Sequence, residues 1–286
     1  MDEIQKVSVI GAGTMGTGIA HTFALGGYKV NLVDTDDDLL TKSLAAIESN
    51  LQRQVTKNVI TTDEAETALK NISTNSSIDS SSDSGLVVEA VFEKLDVKLK
   101  VFETLDKVCK SETILASNTS SISITEIASA TNRQEKVIGM HFFNPVPIMK
   151  LVEIVRGNAT SDRIFGIIKN VVEKLGKSPV EVKDSPGFIS NRLLMPMINE
   201  AVFALMEGVS SAEDIDNVMT LGMNHPMGPL KLADFIGLDV CLNIMEVLRD
   251  GLEENKYRPC PLLEKKVAAG ELGKKSGIGF YEYSNV

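Results

Sequence analysis

The stretch Val7-Ser8-Val9-Ile10-Gly11-Ala12-Gly13-Thr14-Met15-Gly16 decides the fold. A short β-rich run ends in G-x-G-x-x-G, and a helical pattern follows to about Leu25, where Gly26-Gly27 supplies the C-terminal stop. In such a turn the first glycine permits the tight bend and the second lets backbone approach a pyrophosphate. The third allows the helix to pack closely on the strand, with the phosphates at the helix N-terminus. A lone glycine pattern of this kind is also met in turns that bind nothing. Here the flanking strand and helix are right, and Asp34 closes the next strand, residues 29–33, about 20 residues on. An acid there accepts hydrogen bonds from adenosine ribose hydroxyls and repels a 2′-phosphate, so NAD is expected rather than NADP. Asp36, Asp37 and Asp38 read well as helix N-terminal acids.

Outward from this unit, strand and helix patterns alternate. Leu40, Leu44, Ile47, Leu51 and Val55 place a helix over residues 37–57. A polar segment then runs to Ser84, rich in serine from Ser73 on, and reads as a surface excursion within one domain. Strands are expected at 86–88, 113–116, 137–140, 151–155 and 179–182, and helices at 94–108, 124–130 and 163–175. That alternation implies a parallel sheet covered on both faces. The pattern changes at Lys183-Asp184-Ser185-Pro186-Gly187. Beyond it helices fit 188–206, 212–221, 229–248 and 261–269, and no strand is expected until the last residues. The expected fold is therefore α/β: a Rossmann-type doubly wound, mostly parallel sheet over residues 1–184, then an all-helical domain over 185–286.

A chain of 286 residues exceeds one comfortable core, in keeping with two domains. A net charge of −10 argues against a nucleic-acid or membrane-surface binder, which needs an excess of Lys and Arg. Cys109, Cys241 and Cys260 lack metal-type or redox-type spacing, so no metal is expected. Scattered thiols fit a reducing compartment. No leader is expected, and no apolar run approaches the roughly 20 residues that span a bilayer. A cytoplasmic location is expected.

Two further clusters fall where open α/β sheets bind ligands, past the carboxyl ends of strands. Ser117-Asn118-Thr119-Ser120-Ser121 follows one strand; Ser120 or Ser121 fits a ligand contact and a helix N-cap about equally well. His141 lies at the end of another, with Glu153 in the strand that follows. A lone imidazole with an acid able to return to it is the minimal kit for moving one proton near neutral pH. His21, inside the first helix, and His225, in a Pro/Gly loop, read as structural, and Asn191 as an ordinary polar helix residue.

Six stretches in register, GAGTMG at 11–16, ASNTSS at 116–121, GMHFFNPVPIMKLVE at 139–153, DSPGFISNR at 184–192, HPMGPL at 225–230 and GKKSGIGFY at 273–281, resemble the 3-hydroxyacyl-CoA dehydrogenase family. The likeness runs from the first strand to the C-terminus and is strongest to its short-chain, single-function bacterial members. The resemblance implies an oxidoreductase of fatty-acid or butyrate metabolism that converts (S)-3-hydroxybutyryl-CoA to acetoacetyl-CoA with NAD, and the reverse. It implies catalytic roles for His141 and Glu153, with Ser120 and Asn191 hydrogen-bonding the reacting end of the acyl group in a cleft between the domains. Cofactor contacts carry over to Gly11, Gly13, Thr14, Met15 and Gly16, to Asp34, Glu93, Lys98 and Asn144, and to Lys275 of GKKSG. Contacts to the CoA moiety carry over to Asn50 and Lys57. The chain departs from the pattern there: relatives carry serine or lysine where it has Asn50, and Gln52-Arg53-Gln54 makes the helix less basic. The helical domain of the family pairs two copies, so a homodimer is implied.

Two rivals stay open at this stage. A relative of the same fold oxidises a free sugar acid such as gulonate with a similar His-Glu pair. A dinucleotide-binding protein without turnover would share the glycine turn, but would have no use for His141, Glu153, Ser120 and Asn191 together. If Asp34 reads the ribose, Asp34→Ala weakens NAD more than NADP. The ratio of the two cofactor affinities checks this, and an unchanged ratio refutes it.

Overall fold

The structure, a computed structural model, describes residues 4–283. The chain divides after Ser185 into two compact units. In the first, β1 (Lys6–Ile10), α1 (Thr14–Leu25), β2 (Lys29–Val33) and α2 (Asp37–Thr56) are followed by α3 (Thr62–Lys70) and β3 (Ile72–Asn75). Then come β4 (Leu86–Glu89), α4 (Leu95–Val108), β5 (Ile114–Ser117), α5 (Ile124–Ala128) and β6 (Val137–Phe142). The unit closes with β7 (Leu151–Arg156), α6 (Asp162–Lys174) and β8 (Ser178–Lys183).

The eight strands form one sheet in the order β3-β2-β1-β4-β5-β6-β7-β8. Every neighbouring pair is parallel except β6 with β7. Every residue of β4, β5 and β6 is buried, as the near-continuous apolar runs of a sheet covered on both faces require. Ile19 and Phe23 of α1, Ile47 and Leu51 of α2, and Ile168 and Val172 of α6 pack in one core with Val9, Leu32, Val88 and Ile138. The strand order turns back at β1 and β4, which opens a crevice at their carboxyl ends.

The segment read as a polar excursion contains a helix and a strand. α3 begins with a reciprocal capping box in which the Thr61 hydroxyl accepts from the Glu64 N–H and the Glu64 carboxylate accepts from the Thr61 N–H. β3 is polar because it is the sheet's edge, and none of its residues is fully buried. The serines beyond it are built in: Asn31 donates to Ser8 Oγ (3.1 Å) and Ser80 Oγ (3.0 Å), and Ser8 meets Ser84 at 2.8 Å.

The second unit holds α7 (Ser190–Met206), α8 (Ala212–Asn217), α9 (Pro229–Ile236), α10 (Leu238–Leu252) and α11 (Pro261–Ala268). The helix expected over 229–248 is two, because Gly237 at φ +106° breaks the run between α9 and α10. The helix expected over 212–221 stops at Asn217 and gives way to one π turn, Val218–Gly222. The final residues expected to form a strand form, among the described residues, only isolated bridges from Ile278 to Gly273 and Glu282.

Two buried carboxylates tie this unit together. Asp216 accepts from the Leu230 and Lys231 N–H groups at the start of α9 (2.9 Å each) and from the Tyr281 hydroxyl (2.7 Å). Asp234 accepts from the N–H groups of Phe280 and Tyr281 (2.9 Å each) and from the Tyr283 hydroxyl (3.0 Å). The HPMGPL and GKKSGIGFY stretches thus meet at Asp216. Asp216→Ala strips the α9 cap and leaves the Tyr281 hydroxyl only the Ala212 carbonyl to donate to, at a cost of about 2–4 kcal/mol. A urea titration followed by circular dichroism checks this; an unchanged midpoint contradicts it.

Candidate active site

The strands β1, β2, β4, β5 and β6 run the same way, so their carboxyl ends share one edge of the sheet. Gly11 follows β1, Asp34 follows β2, Glu89 ends β4, Ser117 ends β5, and His141 stands at the end of β6. One edge therefore gathers nearly every residue singled out in the first unit.

At the glycine turn, Gly11 has φ +102°, and a Cβ there would lie 2.7 Å from the carbonyl oxygen of Ala90. A Cβ on Gly16 would overlap the Gly11 carbonyl, so helix and turn touch where only glycine fits, while Gly13 faces open space. α1 starts with no acid in its first turn and no side-chain cap, which leaves its N–H groups to an anion. Asp34 Oδ2 accepts from the Ala12 N–H (2.7 Å) and Oδ1 from the Asp36 N–H (3.1 Å), so backbone aims this carboxylate beside the turn. Asp36 does cap α2, accepting from the N–H groups of Asp38 and Leu39. These features fit a bound dinucleotide.

A pocket of about 420 Å³ opens beside the turn, lined by Gly13, Thr14, Lys42, Asn50, Asn144 and His21 among others. Asn50 and Asn144 are thus brought to the glycine turn. Lys57 is exposed at the C-cap of α2, seven residues beyond Asn50 and so about 10 Å further along the helix. Burial pushes His21 down to about 4, and its Nε2 lies 3.2 Å from Gln54 Nε2. That is a neutral, packed imidazole.

The His141–Glu153 pair is set by strand register. In the antiparallel β6–β7 ladder the two residues are directly opposite, so their side chains leave the same face. His141 Nδ1 lies 2.8 Å from Glu153 Oε2, with the residues 7% and 2% exposed. A carboxylate at that distance accepts the Nδ1 proton, which leaves the neutral ring basic at Nε2. Phe143 packs on the imidazole with ring centroids 4.5 Å apart.

The serine cluster is organised by Glu93. Its Oε1 accepts from Thr119 Oγ1 (2.6 Å), the Ser120 N–H (2.7 Å) and Ser120 Oγ (3.2 Å). Burial alone would raise the Glu93 carboxyl, but Lys98 and the hydrogen bonds from Thr119 and Ser120 outweigh it and hold it below the usual carboxylate range. Lys98 is itself buried, with Nζ 2.7 Å from Glu89 Oε1 and 3.2 Å from Glu93 Oε2, and so stands behind whatever Glu93 touches. The helix N-cap weighed for Ser120 or Ser121 belongs to Ser123, whose hydroxyl accepts from the Glu126 N–H. Asp184 completes that cap from the end of β8, accepting from Ser123 Oγ (2.7 Å) and the N–H groups of Ile124 (3.1 Å) and Thr125 (2.8 Å). Sequence reading missed Glu89 and Asn118 as organisers of this edge, and Asp184 as part of the α5 cap. Asn118 Oδ1 accepts from the Phe142 N–H (2.9 Å), next to His141.

In the second unit Asn191 lies buried in the first turn of α7, after Phe188 at φ +52°. Lys275 Nζ makes 2.6 and 2.7 Å bonds to the two oxygens of Asp239, and so has an acidic neighbour in its own unit.

Residues 6–185 match the 3-hydroxyacyl-CoA dehydrogenase NAD binding domain, and residues 187–283 match the 3-hydroxyacyl-CoA dehydrogenase C-terminal domain. The chain is 53% identical over 281 residues to a probable 3-hydroxybutyryl-CoA dehydrogenase of Bacillus subtilis (strain 168), with 98% of each covered. It is 46% identical over 289 residues to the mitochondrial hydroxyacyl-coenzyme A dehydrogenase of Homo sapiens, covering 98% of this chain and 91% of that one. Among solved structures, the (S)-3-hydroxybutyryl-CoA dehydrogenase of Ralstonia eutropha superposes with a TM-score of 0.96 at 47% identity, covering 99% of this chain and 100% of that one. Matched along both of its units, the chain belongs to the 3-hydroxyacyl-CoA dehydrogenase family.

Proposed function

We propose that the chain oxidises (S)-3-hydroxybutyryl-CoA to acetoacetyl-CoA with NAD and catalyses the reverse. The observation that carries this reading is the His141–Glu153 pair at 2.8 Å, on the same sheet edge as the glycine turn. The relatives at 53% and 55% identity, named probable 3-hydroxybutyryl-CoA dehydrogenase and 3-hydroxybutyryl-CoA dehydrogenase, favour it over the sugar-acid rival.

Residues 11–16, Asp34 and Asn144 would hold NAD, which would supply the hydride acceptor. The chain's own part is to move the proton and orient the substrate. His141 Nε2 accepts the proton of the 3-hydroxyl as the carbonyl forms. Glu153 keeps the Nδ1–H tautomer in place and stabilises the imidazolium that results. Ser120 and Asn191 hydrogen-bond the substrate oxygens and fix C3 for transfer, a positioning contribution. In reduction the imidazolium returns the proton. Glu93 and Lys98 border the cofactor through Glu93. Asn50 and Lys57 meet the CoA moiety, and Lys275 is a further cofactor contact.

The helical units pair into a homodimer. Leu193, Val218, Leu221 and Met223 are exposed apolar side chains of the second unit that such pairing would cover. A cytoplasmic location is supported by Cys109, Cys241 and Cys260, all buried and free.

An NADH-oxidation assay with acetoacetyl-CoA, run beside one with a free keto acid, tests the activity: turnover is expected with the thioester alone, and turnover with the free acid alone would overturn the reading. His141→Gln lowers turnover by about 10²–10⁴-fold with NADH binding nearly intact, the usual worth of a general base. Glu153→Gln falls in the same range, because an amide neither fixes the tautomer nor balances the charge. Steady-state rates and NADH titration check both; full turnover in either variant places the proton elsewhere.

A further inference from the structure

We propose that Glu89 is a positioning residue for the reacting end of the substrate, acting through Ser117, Lys98 and Glu93 to set the orientation of Ser120. This rests on the reading of Ser120 given above and deepens it.

Glu89 is fully buried at the end of β4 and uses both oxygens. Oε1 accepts from Lys98 Nζ (2.7 Å) and the Val91 N–H (2.7 Å), and Oε2 accepts from Ser117 Oγ (2.6 Å). Two arms lead from it to one loop. Along the first, Ser117 Oγ accepts from the Thr119 N–H (3.2 Å), and Thr119 Oγ1 accepts from the Ser121 (3.3 Å) and Ile122 (2.9 Å) N–H groups. Along the second, Lys98 lies between two carboxylates, nearer Glu89 than Glu93 by 2.7 to 3.2 Å. Glu93 turns its other oxygen to the Ser120 N–H and hydroxyl.

The charges make the arrangement directional. Two carboxylates share one buried ammonium, so how strongly Lys98 pulls on Glu93 depends on how much of it Glu89 holds. With Glu89 neutral, Lys98 has a single anionic partner and draws Glu93 towards itself, away from Ser120. A buried ion pair contributes little stability beyond what an apolar replacement of equal volume gives. Its consequence here is geometric: it sets how tightly Glu93 grips a hydroxyl that must turn to the substrate.

A double-mutant cycle tests this. Glu89→Gln and Ser117→Ala are each made alone and combined with Ser120→Ala; Ser117→Ala keeps the buried ion pair should Glu89→Gln fold poorly. With acetoacetyl-CoA and NADH, each single variant is expected to lose about 2- to 100-fold in kcat, the span of coupling between contacting residues. In the Ser120→Ala background the same substitutions should cost almost nothing more. Losses that multiply fully with that of Ser120→Ala overturn the proposal. Ser120→Ala with full turnover overturns instead the assigned role of Ser120.

Discussion

β7 runs against β6, and this one reversal in an otherwise parallel sheet creates the proton site. In a parallel ladder the end of one strand lies beside the end of the next, and a histidine there would face another loop. In the antiparallel ladder, a residue near the end of β6 faces one inside β7. His141 therefore meets Glu153 on a rigid strand that buries the carboxylate and offers it one principal direction. Loop residues 143–150 then close the turn and carry Asn144 and Val146 to the pocket beside the glycine turn.

The rest of the edge follows from parallel strand direction. Chains of hydrogen bonds link the strand ends sideways: Gly11 N–H to Val33 O, Ala12 N–H to Asp34, Asn118 N–H to Glu89 O, and Phe142 N–H to Asn118. The first two tie cofactor-assigned residues to the end of a neighbouring strand, and the last two tie together the strand ends that lead to Ser120 and carry His141. Such cross-links hold polar groups in fixed directions before any ligand arrives, as positioning of reactants demands.

Legibility tracked the range of the interaction involved. The glycine turn, Asp34 and the strand bearing His141 are local patterns, and each could be read from its neighbours in the chain. α3 was legible too, since Thr61 and Glu64 carry the T-x-x-E of a capping box, but the low apolar content around it masked the signal. β3 was hidden because an edge strand with polar residues has no alternation to detect. Gly237 gave no local sign that it splits a helix rather than sitting inside one. Asp184, Asp216 and Asp234 were out of reach, since their partners come from distant segments: Asp184 caps a helix that begins at Ile124, and Asp234 holds residues 280–283. In the sequence they are ordinary acids; only the fold buries them and gives them donors.

The claim on which the chemistry turns is that Glu153 holds the His141 ring with its proton on Nδ1. Only three histidines occur in the chain, so nitrogen-15 correlation spectra of the imidazoles are simple, and His141→Gln assigns the signal. Under alkaline conditions, where the ring is neutral, the enzyme is predicted to show the Nδ1–H tautomer at His141, lost in Glu153→Gln. A ring that carries its proton on Nε2 in the unaltered enzyme would contradict the account.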